Sequence, residues 1–323
     1  MKIGSILNDR YTVLNKLGEG TFSTVWHCKD EQNNIDVAIK FYKTECYSDK
    51  LAAKMEYKLL DNLDHPNIIS LLDKFIYYDT LKKNYCLVYE ICDCNLFDIM
   101  DLSQDNQIIS IKKIDGNFIY YQIDRIFIID IIRNILEGLH ELHSQRIIHT
   151  DIKPENILFK NNIAKIADFN TAEWEYTCDN NMVGTRYYRA PEVILGLNIT
   201  TAYDIWSVGC LLFELITNDV LFYPHAYNSW KISRDEDHLG LIVELLGPIP
   251  SWMLNGRRTN KFINLNGKFK NIKQLLPWNI EQVMNKKYKI DDPLLVDLLN
   301  KMLVIDPYKR SSAKQCLEHP FLC

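Results

Sequence analysis

The stretch Ile147-Ile148-His149-Thr150-Asp151-Ile152-Lys153-Pro154-Glu155-Asn156-Ile157-Leu158, followed by Ala167-Asp168-Phe169-Asn170, is the most chemically loaded part of the 323-residue chain. Asp151, Lys153, Asn156 and Asp168 bring two carboxylates, an ammonium and an amide oxygen into one short segment, with apolar residues on both sides. Such a set suits divalent cations and a polyphosphate held beside a hydroxyl nucleophile. In isolation, Asp-x-Lys reads more readily as a polar loop between two buried strands, so the flanking sequence has to decide.

Upstream, Tyr11-Thr-Val-Leu14, Ser23-Thr-Val-Trp-His-Cys28 and Asp36-Val-Ala-Ile-Lys-Phe-Tyr42 read as successive β-strands. Gly18-Glu19-Gly20-Thr21-Phe22-Ser23 links the first two, and small residues there let backbone N–H groups approach phosphate oxygens, although a ligand-free hairpin turn uses the same residues. Lys40 shifts the balance, because it follows the apolar run Val37-Ala38-Ile39. A helix is expected from about 50 to 63 with Leu51, Met55, Leu59 and Leu63 on one face and Glu56 aimed at Lys40. Asn84 to Glu90 reads as a further strand leading into a hinge at Ile91-Cys92-Asp93, and 104–124 as a variable loop or hairpin.

Downstream, Ile128, Ile131, Ile132, Ile135, Leu139 and Leu142 recur at helical spacing and read as core. His140 and His143 share that helix without a carboxylate or cysteine partner evident in sequence, which argues against a metal site. Gly184 to Glu192 is a basic and aromatic loop, Asp204 opens a buried helix, and Arg234-Asp-Glu-Asp-His238 begins an acidic-headed amphipathic one.

With 47% hydrophobic and 24% charged residues, the chain can bury a sizeable core. A net charge of −5 and the lack of any Lys/Arg block argue against nucleic acid and leave room for a basic partner. Nine scattered cysteines, of which Cys92 and Cys94 are the only close pair, fit free thiols in a reducing compartment. The expectation is an intracellular monomer with no signal peptide, lipid anchor or membrane span.

In their order, Gly-x-Gly-x-x-Ser-x-Val (Gly18 to Val25), Val-Ala-Ile-Lys (ending at Lys40), His-Thr-Asp-Ile-Lys-Pro-Glu-Asn, Asp-Phe-Asn, Ala-Pro-Glu (ending at Glu192), Asp-x-Trp-Ser-x-Gly (from Asp204) and the late Arg310 resemble the eukaryotic protein kinases. The resemblance implies an α+β, bilobal fold over 11–322: a β-rich N-lobe at about 11–90, a hinge at about 90–94 and a mostly helical C-lobe at about 95–322. It implies Mg2+-dependent transfer of the ATP γ-phosphate to protein hydroxyls. Leu17, Gly18, Glu19, Gly20, Thr21, Phe22, Ser23, Thr24 and Val25 would cover the nucleotide, with Lys40 on its phosphates and paired to Glu56. Asp151 would take the proton from the substrate hydroxyl or orient it, Lys153 would neutralise the moving phosphoryl group, and Asn156 and Asp168 would hold magnesium. Glu192 and Arg310 would form a buried pair, and Asp204 would brace the catalytic loop.

Thr185 to Glu192 is similar to the group containing cyclin-dependent and mitogen-activated kinases. Phe22 to Trp26, Ile148 to Leu158 and Arg234 to Gly247 are most similar to the SR-protein kinases, which phosphorylate Arg-Ser repeats. That resemblance implies basic, Arg-Ser-rich protein substrates docking on Asp237 and Glu244, where a solvated helix start is the alternative; a proline-directed or Cdc2-like kinase is the second reading of function and a scaffold without activity the third. Thr150 stands where many kinases have arginine, and Asn180 and Met182 where related ones carry phosphorylated Thr or Tyr. Activity without activation-loop phosphorylation is therefore expected. Asn170 replaces a glycine and is expected to tolerate positive φ in that turn.

Overall fold

The computed structural model describes residues 2–20, 23–42, 47–61, 63–79, 82–104, 110–114, 117–121, 125–175 and 182–323. The N-terminal part is a six-stranded antiparallel sheet made of β1 (Ile6–Leu7), β2 (Tyr11–Glu19), β3 (Ser23–Asp30), β4 (Ile35–Tyr42), β5 (Leu71–Asp79) and β6 (Lys82–Glu90), in the order β1-β2-β3-β4-β6-β5. Strand alternation sorts its side chains. Val37, Ile39, Cys86 and Val88 enter a core on one face with Tyr11, Val13 and Phe75. On the other face Ala38, Tyr42, Leu87 and Tyr89 join the core that continues into the helical part. Lys40 shares the parity of Ala38 and Tyr42 and so faces that second side.

Helix α1 (Tyr47–Leu60) covers that face. Its buried positions are Ala53, Glu56, Leu59 and Leu60, whereas Leu51 is 49% exposed. Of the expected stripe, Leu59 and Leu63 are buried and Glu56 meets Lys40 as expected, but Leu51 is exposed, because a buried carboxylate, satisfied by hydrogen bonds, takes part of the core-facing side.

The chain leaves the sheet at Glu90. Burial raises the carboxyl of Glu90, but bonds from Lys160 (2.9 Å), the Ser70 N–H (2.9 Å) and Lys165 (3.0 Å) outweigh it and lower it to about 2. The hinge is thus pinned to the second lobe by two ammonium groups. After Ile91–Asp93 come β7 (Cys94–Asn95), α2 (Leu96–Gln104), a hairpin of β8 (Ser110–Ile114) and β9 (Asn117–Tyr121), and α3 (Arg125–Ser144). Every member of the stripe read from Ile128 to Leu142 is buried in α3.

Four short strands then build the loops between the lobes: β10 (Ile147–Ile148), β11 (Ile157–Lys160), β12 (Ile163–Ile166) and β13 (Glu173–Trp174). β10 pairs with β13, and β11 lies between β12 and β7. The first pairing closes the 147–174 segment at its base, and the β11–β12 hairpin lies within it. Helices α4 (Pro191–Leu195), α5 (Ala202–Thr217) and α6 (Arg234–Leu246) follow, with Pro293–Met302 and Ala313–Leu317 closing the body. No helix among the described residues is long and apolar enough to cross a membrane.

Candidate active site

Lys40, from the central strand of the sheet, donates to Glu56 Oε1 and Oε2 of α1 (2.9 and 2.8 Å) and to Asp168 Oδ1 (2.7 Å). Burial disfavours the ammonium, but Asp168 and Glu56 outweigh it and raise its pKa. The same balance, set by Lys40, holds the Asp168 carboxyl below its ordinary value against burial. Two phenols complete the surroundings of Glu56: Tyr42 donates to Oε2, and Tyr89 to Oε1 at 2.6 Å.

Across the cleft, the turn Pro154–Asn156 aims Asn156 Nδ2 at the Asp151 carbonyl (2.8 Å) and at Oδ2 (3.2 Å). Lys153 Nζ lies 2.8 Å from Asp151 Oδ2. Thr185 donates through both its N–H (2.8 Å) and its hydroxyl (2.7 Å) to Asp151 Oδ1. Burial raises the Asp151 carboxyl, but Lys153 and Thr185 outweigh it and keep it below the usual range, so it is a carboxylate at neutral pH. Gly184 permits this approach: its φ is +73°, and a Cβ there would meet the Tyr203 hydroxyl at 2.0 Å and the Thr150 carbonyl at 2.7 Å.

Asp204, fully buried at the start of α5, accepts the N–H groups of His149 and Thr150 (2.9 Å each) and lies 2.9 Å from His143 Nε2. His143 therefore joins the Asp204 contacts that hold the loop at 149–150, while His140 is exposed. Thr150 sits at φ +69°, strain of about 1–3 kcal/mol for a β-branched residue. Its hydroxyl donates to the Thr171 carbonyl (2.8 Å) and lies 2.9 Å from Thr171 Oγ1. A hydroxyl thus ties the loop at 149–151 directly to the segment after Asn170.

The left-handed residue of the Asp168-Phe169-Asn170 turn is Asp168 (φ +65°), not Asn170. Asn170 instead turns its amide to the Tyr42 phenol, with Oδ1 at 2.5 Å. Glu192 and Arg310 form a bidentate pair (2.8 and 3.1 Å) with neither side chain exposed, the guanidinium lying 5.1 Å from the Trp206 ring centroid.

The acidic head of α6 is divided among separate tasks. Asp235 pairs with Arg186, and buried Glu236 accepts the N–H and the side-chain amide of Asn271 (2.7 Å each). Asp237 Oδ2 accepts the His225 N–H (2.8 Å) and Glu244 Oε1 the Leu276 N–H (2.8 Å). The helix start is therefore not simply solvated: each of these carboxylates has a partner within the chain. Burial raises the Asp237 carboxyl, partly offset by His225.

Among the described residues, a Cβ at Gly18 would meet nothing within 4 Å, and one at Gly20 only the Ser23 carbonyl at 3.8 Å. β2 and β3 set Gly18 opposite Val25 and Glu19 opposite Thr24, with Leu17 49% exposed and Ser23 buried. Thr21 and Phe22, like Asn180, lie outside the described residues, while Met182 is exposed. The open space at both glycines, the fixed ammonium of Lys40, and the carboxylate and amide oxygens of Asp168 and Asn156 fit a magnesium polyphosphate. Sequence reading missed Tyr42, Tyr89 and Thr185 as members of the cleft. Their strand parity or nearness to Gly184 was visible, but not their partners.

A family model described as the protein kinase domain matches residues 11–322. The chain is 32% identical over 393 residues to Serine/threonine-protein kinase SRPK of Physarum polycephalum, covering 100% of this chain and 88% of that protein. It is 30% identical to Serine/threonine-protein kinase AFC1 of Arabidopsis thaliana, covering 99% of this chain and 72% of that one. A crystal structure of a kinase domain superposes with a TM-score of 0.81 at 28% identity, covering 100% of this chain and 98% of the other. Because the likeness spans both lobes and not one motif, the chain belongs to the protein kinase family and is a serine/threonine-protein kinase of the kind that includes the SR-protein and Cdc2-like kinases.

Proposed function

We propose that the chain phosphorylates serine or threonine in basic, Arg-Ser-rich protein segments, using ATP and Mg2+ bound between a lobe of about residues 11–90 and one of about 95–322. When bound, the nucleotide and metal supply the transferable phosphoryl group and neutralise its charge. Gly18 and Gly20 give room over the phosphates, Lys40 holds them from the sheet side, and Asn156 and Asp168 offer oxygens to the metal. Asp151, already ionised, accepts or orients the substrate hydroxyl, and Lys153 stands beside it to meet developing negative charge. The observation that carries this reading is the pair of contact sets Asp151–Lys153–Thr185 and Lys40–Glu56–Asp168, close enough that Lys153 and Asp168 each stabilise the other's charged form.

Asp237 and Glu244 favour a basic substrate. They lie about two turns apart on one side of α6, and each spends one oxygen on a backbone N–H. Beside Asp237, the rings of Tyr187, Tyr223, His225, Tyr227 and Trp230 form a file, with Tyr187 stacked on Tyr223 at 5.3 Å and Trp230 65% exposed. Guanidinium groups stack on such faces while pairing with carboxylates. With Arg-Ser, Ser-Pro and acidic serine peptides compared, the Arg-Ser peptide is expected to have the highest kcat/KM. The Asp237→Lys, Glu244→Lys double variant should raise KM for that peptide about tenfold or more and leave the Ser-Pro peptide unchanged. A wild-type preference for Ser-Pro overturns the substrate assignment.

The Thr150–Thr171 tie supports activity without phosphorylation of the activation segment. Phosphatase treatment of purified protein is expected to leave kcat unaltered. Loss of activity on treatment, restored by rephosphorylation, refutes this.

A further inference from the structure

Glu56 is held more firmly than its pairing with Lys40 requires. Besides the ammonium, it receives Tyr89 at one oxygen and Tyr42 at the other, and all four side chains are buried. Burial and the Glu56 charge raise both phenols well above their ordinary pKa, so both remain donors. Tyr42 faces a second group, the Asn170 amide, 2.5 Å away. A phenol has one proton, so it cannot donate to both the carboxylate and an amide oxygen. The ionised carboxylate is the stronger acceptor, so the proton goes to Glu56. An amide can present its NH2 in place of its oxygen, and with that end toward Tyr42 the phenol can donate to Glu56 and accept from Asn170 at once.

We propose that Tyr42 is a positioning residue that ties α1 to the Asp168-Phe169-Asn170 turn, donating to Glu56 and accepting an N–H from Asn170. The proposal rests on the kinase reading of the Lys40–Glu56 pair. Glycine at position 170 could not make this contact, and phenylalanine at 42 could neither donate nor accept. The tie makes the helix carrying Glu56 and the turn carrying Asp168 move as one body. The cleft geometry is then held by buried hydrogen bonds within the chain, without nucleotide and without a phosphate on the activation segment.

The test is a double-mutant cycle on the full chain with Tyr42→Phe, Asn170→Gly and both together. Urea unfolding without nucleotide is measured alongside kcat and KM for ATP. Each single variant is expected to lower kcat about 5- to 30-fold, and the double variant about as far as the worse single, because both break the same contact. The unfolding midpoints should show the same non-additivity. The split between the kinetic constants adds a signature that a structural role alone would not give: the contact joins α1 to the Asp168 turn, so kcat should fall while KM for the Arg-Ser peptide stays within about twofold of wild type. Multiplicative losses in the double variant, lowered stability with unchanged kcat, or a peptide KM that rises as far as kcat falls would each overturn the tie. Wild-type protein that transfers no phosphate to any peptide refutes the kinase reading instead, and the nucleotide-free unfolding cycle still reads the contact.

Discussion

Asp151→Ala is expected to lower kcat by about 10²- to 10⁴-fold, the range for removing a positioned acid–base group. Its two oxygens are organised from opposite sides, Oδ1 by Thr185 and Oδ2 by Lys153 with Asn156. Removing the carboxylate therefore takes away the acceptor for the substrate hydroxyl and leaves Lys153 without its partner. Asp151 is half-buried and belongs to no hydrophobic cluster. Thr185, Lys153 and Asn156 lose an acceptor, so the thermal midpoint should fall by about 2–8 °C, too little to account for the kinetic loss by unfolding. Steady-state phosphate transfer to the Arg-Ser peptide checks the first expectation and a thermal melt the second. Activity within about threefold of wild type would remove Asp151 from the mechanism.

The second large effect is on stability. Breaking the Glu192–Arg310 pair by Arg310→Met is expected to cost about 3–5 kcal/mol, because it strands a fully buried carboxylate. Arg310 also donates to the carbonyls of Val304 (2.9 Å) and Ala202 (2.7 Å), so its loss loosens three segments at once. Replacing both partners, Glu192→Leu with Arg310→Met, should recover a substantial part, since no buried charge is then left alone. Chemical denaturation of the three variants decides it. A double variant no more stable than Arg310→Met would show that the carbonyl bonds, not the stranded carboxylate, dominate the cost.

Much of the site was legible in the sequence because its chemistry is local. Asp151, Lys153 and Asn156 lie within six consecutive positions, and a tight turn leaves them few ways to be arranged. The apolar stripe of α3 was equally readable, since helical spacing alone puts Ile128 to Leu142 on one buried face. In α1 the aim of Glu56 at Lys40 and the burial of Leu59 were readable, but the exposure of Leu51 was not, because hydrophobic counting does not give a core position to a glutamate. The acidic head of α6 was legible as charge and as a helix start. That Asp235 pairs with Arg186 and Glu236 with Asn271 was not, since those partners lie 49 and 35 residues away.

By itself, the sequence determined which groups exist and in what order: a lysine after an apolar strand, two carboxylates and an amide in one loop, a threonine where an arginine is common. Tertiary structure decided who meets whom. Tyr42 reaches Asn170 across 128 residues, Tyr89 reaches Glu56 across 33, and Thr185 reaches Asp151 across 34. Each contact depends on strand parity, helix rotation or loop closure, where a shift of one residue would turn the side chain away. Such dependence on register is the physical reason that no local pattern announced them.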